Sequence, residues 1–155
     1  MLFRSAQMAT FAATDGDKPT ALGLVAEAEA LIGEPASNYQ HLGIQLQIAT
    51  AYEQLNLSKS AGFIEKAINK LNELAVAALV LNGFDLQQYF KNGELVINGG
   101  NQLSEMARES AQQLGSLSRY EFDRAKSVAE AFQRPEMRVM ALLQIARVAL
   151  SSDDR

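Results

Sequence analysis

The chain has 155 residues, no Cys, no Trp and one His, with 48% hydrophobic and 21% charged residues and a net charge of -4. A chain of this length buries roughly 68–70% of its unfolded surface around one core, so this composition belongs to a folded domain and not to a disordered segment. The missing Cys excludes disulfides, thiol nucleophiles and Cys-based zinc sites, and the acidic balance argues against nucleic acid, whose phosphates need a basic surface.

Ala (24) and Leu (20) dominate, which is a helix former's composition. Ala6 to Thr14 reads as a first helix, followed by the turn Asp15-Gly16-Asp17. Asp17 can cap a second helix, with Pro19 in its first turn. That helix runs to Ile32 with Ala21, Leu24, Val25, Ala28, Leu31 and Ile32 on one face, and Gly33 ends it. Ser37 is expected to cap a third helix reaching Leu55, and Ser58 a fourth reaching Leu81, which Asn82-Gly83 ends. The longest apolar run, Leu74 to Leu81, is far short of the ~20 residues that span a bilayer. No secretory leader is visible either, so a soluble cytoplasmic chain with no membrane partner is expected.

Ala then disappears between Ala78 and Ala107, while Gly83, Gly93, Gly99 and Gly100 appear. Within this break, 86–90 and 94–97 flank Asn92-Gly93, which suits a tight hairpin turn; an ordered loop without strands is the equal alternative. A lone hairpin is marginal in water, so it must lean on helices or stay mobile. Helices resume with Leu103, Ala107, Ser110, Leu114 and Leu117 at 4-3-4-3 spacing. A short helix carries Ala125, Val128, Ala129 and Phe132, and Pro135 starts a last helix to Leu150. The short connection makes those two antiparallel neighbours. The organisation expected is one helical-repeat domain over 1–155: two hairpins over 2–82, an insertion over 83–101 and C-terminal helices over 102–151.

Laid on itself at an offset of 40, the chain matches Gln7-Met8-Ala9 to Gln47-Ile48-Ala49, Ala21 to Ala61, Leu24 to Ile64 and Ala28 to Ile68. A third copy of the first helix begins at Gln144-Ile145-Ala146, with Ala149 in the place of Tyr52. Small residues at Ala9, Ala12, Ala21 and Ala28, and at Ala49 and Ala61, let paired helices approach closely. This series resembles the tetratricopeptide repeat, and Gly16-Asp17 stands at that family's Gly-Asp turn. The period departs from the family's 34 residues, and Asn56-Leu57 and Ile68 replace its Gly-Asp and Ala in the second copy. The resemblance implies an all-α, TPR-like α-solenoid of antiparallel helix pairs with a short irregular or β-hairpin insertion. The third copy has no second helix, and Met140, Leu143, Val148 and Leu150 would face outward from it. The chain therefore reads as a fragment of a longer array, able to self-associate through its open last helix.

Catalytic patterns are few. His41 is a lone His without ligand spacing around it, so a surface or half-buried role is expected. The paired carboxylates Asp15/Asp17, Glu27/Glu29 and Asp153/Asp154 fall in turns or on polar faces. No phosphate loop, nucleophile elbow or dinucleotide fingerprint occurs. Neither enzymatic activity nor a cofactor or metal is expected. If the resemblance holds, the first helix of each copy lines a concave surface showing Thr10, Ala13 and Thr14, then Leu46, Thr50, Glu53 and Gln54, then Leu143, Arg147 and Ser151. Partner binding is assigned to Thr10, Thr14, Thr50, Glu53, Gln54 and Arg147. The expected function is a protein-interaction module or scaffold that binds a peptide or partner helix in this groove. The alternative is a helical accessory domain of a larger enzyme or regulator, docked through 83–100.

Overall fold

A computed structural model describes residues 2–32 and 35–152. Gly33, the expected stop of the second helix, lies outside them. The described residues form helices α1 (Leu2–Thr14), α2 (Lys18–Ile32), α3 (Tyr39–Glu53) and α4 (Leu57–Leu81), strands β1 (Phe90–Lys91) and β2 (Glu94–Leu95), then α5 (Gln102–Leu117), α6 (Phe122–Glu130) and α7 (Pro135–Ser152). The class is all-α with one very small sheet. No helix among the described residues is long and apolar enough to cross a membrane. The chain divides into two compact units, Met1–Ala67 and Ile68–Arg155, with the division inside α4.

In the first unit, α1 ends in a Schellman motif. Gly16 sits at φ +83°, the Asp17 amide donates to the Ala12 carbonyl and the Gly16 amide to the Ala13 carbonyl. Asp17 then caps α2, accepting the Thr20 amide at 3.2 Å. The buried face of α2 is Ala21, Val25, Ala28 and Ile32, a narrower stripe than expected, because Leu31 is 56% exposed. Helices α1 and α2 pack on each other, and both pack on α3. Ala9, Ala21, Ala28, Ala49 and Ala61 are fully buried.

α3 is buried on several sides, through Leu42, Ile44, Leu46, Ile48, Ala49 and Tyr52. Its cap is Asn38 and not Ser37. Asn38 lies immediately before the first helical residue with extended backbone, so its Oδ1 reaches the His41 amide at 2.9 Å. Ser37 is one residue too early, and its hydroxyl instead bonds the half-buried His41 ring at Nδ1, 2.9 Å away. α3 ends at Glu53, two residues short of Leu55. In α4 the cap is displaced the other way, since Asn56, two residues before Ser58, accepts the Lys59 amide at 3.1 Å. Against α3, Ser60 Oγ donates to the Ala49 carbonyl at 2.8 Å, and the Phe63 ring stacks on Tyr52 at 5.9 Å.

In the second unit the hairpin exists but is short. Phe90 pairs with Leu95 and Lys91 with Glu94 around Asn92 (φ 53°) and Gly93 (φ 81°), the geometry of a type I′ turn. It leans on the helices, as so small a sheet must. Glu136 Oε1 accepts the Leu95 amide at 2.8 Å, Arg134 donates to the Gly93 carbonyl at 2.9 Å, and its guanidinium lies over the Phe90 ring. Ser104 and Arg108 on α5 donate to the Val96 and Ile97 carbonyls. α5 buries the whole expected stripe, with Asn101 as cap. The principal partner of α7 is α5, while α6 packs on both. The close approach is at Gly115, where a Cβ would stand 3.3 Å from the Gln144 carbonyl oxygen. Met137 is fully buried and Met106 and Met140 half-buried, but Met8 is 53% exposed and does not pack in the core.

Candidate partner-binding site

The sequence places Gln7 and Thr10 two turns and one turn before the end of α1, and Gln47 and Thr50 at the matching places on α3. Because the two helices pack side by side, these equivalent positions meet. Gln7, Thr10, Phe11, Gln47 and Thr50 line a groove of about 190 Å³. Both threonine hydroxyls donate back to their own helix, Thr10 to the Ala6 carbonyl and Thr50 to the Leu46 carbonyl, each at 3.1 Å. Their hydrogens are thereby occupied, which leaves oxygen lone pairs and methyl groups for a ligand. Phe11 stands 70% exposed at the edge. Gln47 Oε1 is buried with no hydrogen-bond partner among the described residues. None of the five lining residues is titratable, so this groove is built for contact and hydrogen bonding.

A polar clasp ties α3 to α2 and α4. Tyr52 donates its hydroxyl to Glu29 Oε2 at 2.6 Å, and Lys59 Nζ reaches both, at 3.2 Å to Glu29 and 3.1 Å to Tyr52. Burial works to raise the Glu29 carboxyl, but the Tyr52 hydroxyl and the Lys59 and Lys66 charges outweigh it and hold the group below its ordinary value. The Tyr52 hydroxyl is pushed up, by burial first and by Glu29 second. In the second unit, burial likewise acts to raise Glu136, and the Arg134 guanidinium and Leu95 amide outweigh it. Glu109 on α5 is held above its ordinary value by burial. Among the described residues no group of three or more His, Cys, Asp or Glu side chains is placed to hold a metal ion.

Of the six expected partner-binding residues, the structure brings Thr10 and Thr50 together. Thr14 is exposed at the end of α1 and donates to the Thr10 carbonyl. Glu53 is half-buried and Gln54 is the exposed C-cap of α3; neither lines the groove. Arg147 belongs to the second unit, where it borders a shallow depression of about 570 Å³ with Leu143, Ala146, Leu150 and Ser151. Ala13 and Leu46, expected to show on the concave face, are buried instead. Gln7, Phe11 and Gln47 were missing from the expected set. The offset of 40 already paired Gln7 with Gln47 and could have found both; Phe11 has no counterpart at Ala51 and carries no such signal. No protein-family model matches the chain, and no similarity to a curated protein or to a solved structure is found.

Proposed function

We propose that the chain is a protein-interaction module of the TPR-like α-solenoid kind, and that it holds a peptide or partner helix in the groove between α1 and α3. One observation carries this reading. Gln7 with Gln47, and Thr10 with Thr50, stand one internal repeat apart in sequence and line one groove in space. Stacked repeats present equivalent positions along one shared surface, which is how such arrays recognise extended partners. A segment that fits would set an apolar side chain against Phe11 and the threonine methyls. On this reading the chain binds without catalysing and uses no cofactor.

Selection of a random peptide display library on the full chain tests the reading. Enriched peptides are expected to share an apolar anchor. Thr50→Arg, at a half-buried residue lining the groove, and Phe11→Glu, at an exposed one, should each weaken them at least tenfold, roughly 1.4 kcal/mol, with the helical circular dichroism unchanged. Peptides that bind both variants as tightly as the parent would refute it.

A further inference from the structure

Asn-Gly occurs three times in the chain, at Asn82-Gly83, Asn92-Gly93 and Asn98-Gly99. In such a pair the residue after Asn has no Cβ, so its backbone nitrogen can reach the Asn side-chain carbonyl carbon and displace ammonia. Two of the pairs have an evident structural use. Gly83 follows the end of α4 at φ +88°, and Asn82 Oδ1 accepts the Phe90 amide at 3.1 Å. Asn92 and Gly93 both take positive φ in the hairpin turn, which the pairing of Lys91 with Glu94 closes. Asn98 has neither role. It is exposed and lies between the hairpin and α5, outside any helix or strand. It caps nothing, since the cap of α5 is Asn101.

Two neighbours set Asn98 apart. The first is Gly99, which packing fixes as glycine: a Cβ there would stand 2.9 Å from Val96 Cγ1, so a larger residue would force Val96 to move. The Gly99 amide makes no backbone hydrogen bond among the described residues. The second is Arg108 on α5. Its Nη2 donates to the Ile97 carbonyl at 3.0 Å and stands 3.5 Å from Asn98 Oδ1. When a nitrogen attacks Cγ, negative charge develops on Oδ1, and a guanidinium already beside that oxygen stabilises it as an oxyanion donor does. Asn82 Oδ1 faces only a neutral amide, and Asn92 is held in left-handed backbone by the strands on either side.

We propose that Asn98-Gly99 is a self-modification site, where the chain converts Asn98 to an aspartyl or isoaspartyl residue with the assistance of Arg108. The Gly99 nitrogen gives its proton to solvent and bonds to Asn98 Cγ. The Cγ–Nδ2 bond breaks, and the departing nitrogen takes a proton from solvent and leaves as ammonia. Water then opens the cyclic imide at either carbonyl, giving the aspartyl or the isoaspartyl chain. Water is the one co-reactant, and nothing is oxidised or reduced. Each product sets a carboxylate near Arg108 where an amide stood. The isoaspartyl form also lengthens the backbone by a carbon between the Val96 carbonyl, which Ser104 holds, and the Asn101 cap. The site shares no residue with the groove between α1 and α3, so it stands or falls apart from the groove reading.

The test is incubation of the full chain in mildly alkaline buffer, then proteolysis and peptide mass mapping. The mass gain of amide-to-acid exchange reports conversion, and fragment ions place it at one Asn. In the folded chain Asn98 should convert faster than Asn82 and Asn92. In urea the three rates should converge, because unfolding leaves only the shared Asn-Gly sequence. Arg108→Gln should slow Asn98 roughly fivefold, the scale of a charge that solvent reaches, and leave the other two sites unchanged. A merely structural role for Arg108 predicts the opposite sign, since a loosened segment converts faster. Conversion of Asn98 no faster than at the other two sites would overturn the proposal. So would a rate that Arg108→Gln leaves unchanged or raises. A ranking that persists in urea would overturn it as well, by tracing the preference to sequence neighbours.

Discussion

Asn72 offers a direct test of how the second unit is held together. It is 6% exposed on α4, and its amide makes two bonds to the α6–α7 connection. Nδ2 donates to the Ala131 carbonyl at 2.9 Å, and Oδ1 accepts the Gln133 amide at 2.9 Å. These groups lie past the end of α6, where the backbone has no helical partner for them. Asn72→Leu keeps the volume close and removes both bonds. Each is worth about 1 kcal/mol net, and orphaning a buried polar group adds about 1–3 kcal/mol more. Ala131 is half-buried and Gln133 exposed, so water can reach the orphaned groups and that addition falls at its low end. The expected loss is about 2–3 kcal/mol, a drop in melting temperature of about 5–10 °C for a chain of this size. Urea titration followed by circular dichroism reads it as a lower midpoint with an unchanged slope. Asn72→Asp sharpens the test: it keeps the acceptor for Gln133 but sets a carboxylate against the Ala131 carbonyl. It should therefore be at least as damaging at pH 7 and recover in acid. A loss below about 0.5 kcal/mol for Asn72→Leu, within the range of an ordinary surface change, would refute the idea that this side chain bridges the two segments.

Two further outcomes follow from the packing and the charges. Gly62 and Gly115 both lie inside helices, but nothing stands within 4 Å of a Cβ at Gly62, whereas a Cβ at Gly115 would crowd the Gln144 carbonyl oxygen and Val148 at 3.3 Å. Gly62→Ala should stabilise the chain by about 0.5–1 kcal/mol through helix propensity, and Gly115→Leu should destabilise it by about 1–3 kcal/mol through overpacking; thermal melts that move in the same direction would contradict this. Glu29 is held below its ordinary value of 4.5, so its contribution is fully present above that pH and is lost as pH falls through the lower folded-state value. Tyr52→Phe removes the hydroxyl that does most to lower it, so acid titration of this variant should show a shallower loss of stability below pH 4.5 than the parent; parallel curves would sink that assignment.

Helices and their buried stripes were legible in the sequence wherever period and punctuation agreed. The 4-3-4-3 stripe of α5, the Gly16 turn and the Asn92-Gly93 turn are all realised, because each depends on local geometry that a few residues dictate. Capping was misplaced twice for one local reason. Ser37 and Ser58 each neighbour an Asn that lies one or two residues nearer the position where a side-chain oxygen reaches the third helical amide. The exposure of apolar positions was less legible. Leu31 shares the period of the buried face of α2, and Val76, Leu79 and Val80 continue an apolar run on α4, yet all are about half exposed or more. Periodicity gives the face on which a residue lies, but not whether another element covers that face. The same holds for the site: the repeat offset brings Thr10 to Thr50, but Glu53 and Gln54, a turn further on, fall outside the groove because α3 ends there.

The contrast between α3 and α7 turns that ambiguity into information. Where like residues occupy like positions in two helices of one chain, composition and propensity are held constant, and a difference in burial reports only the neighbours. Leu46 and Leu143 are both leucines beside a Gln-Ile-Ala triplet, and one is fully buried while the other is 64% exposed. Removing about two-thirds of a leucine side chain from water is worth roughly 1–2 kcal/mol. Val139 and Leu150, exposed to a similar degree, add comparable amounts, so the uncovered face of α7 holds several kcal/mol of unrealised burial.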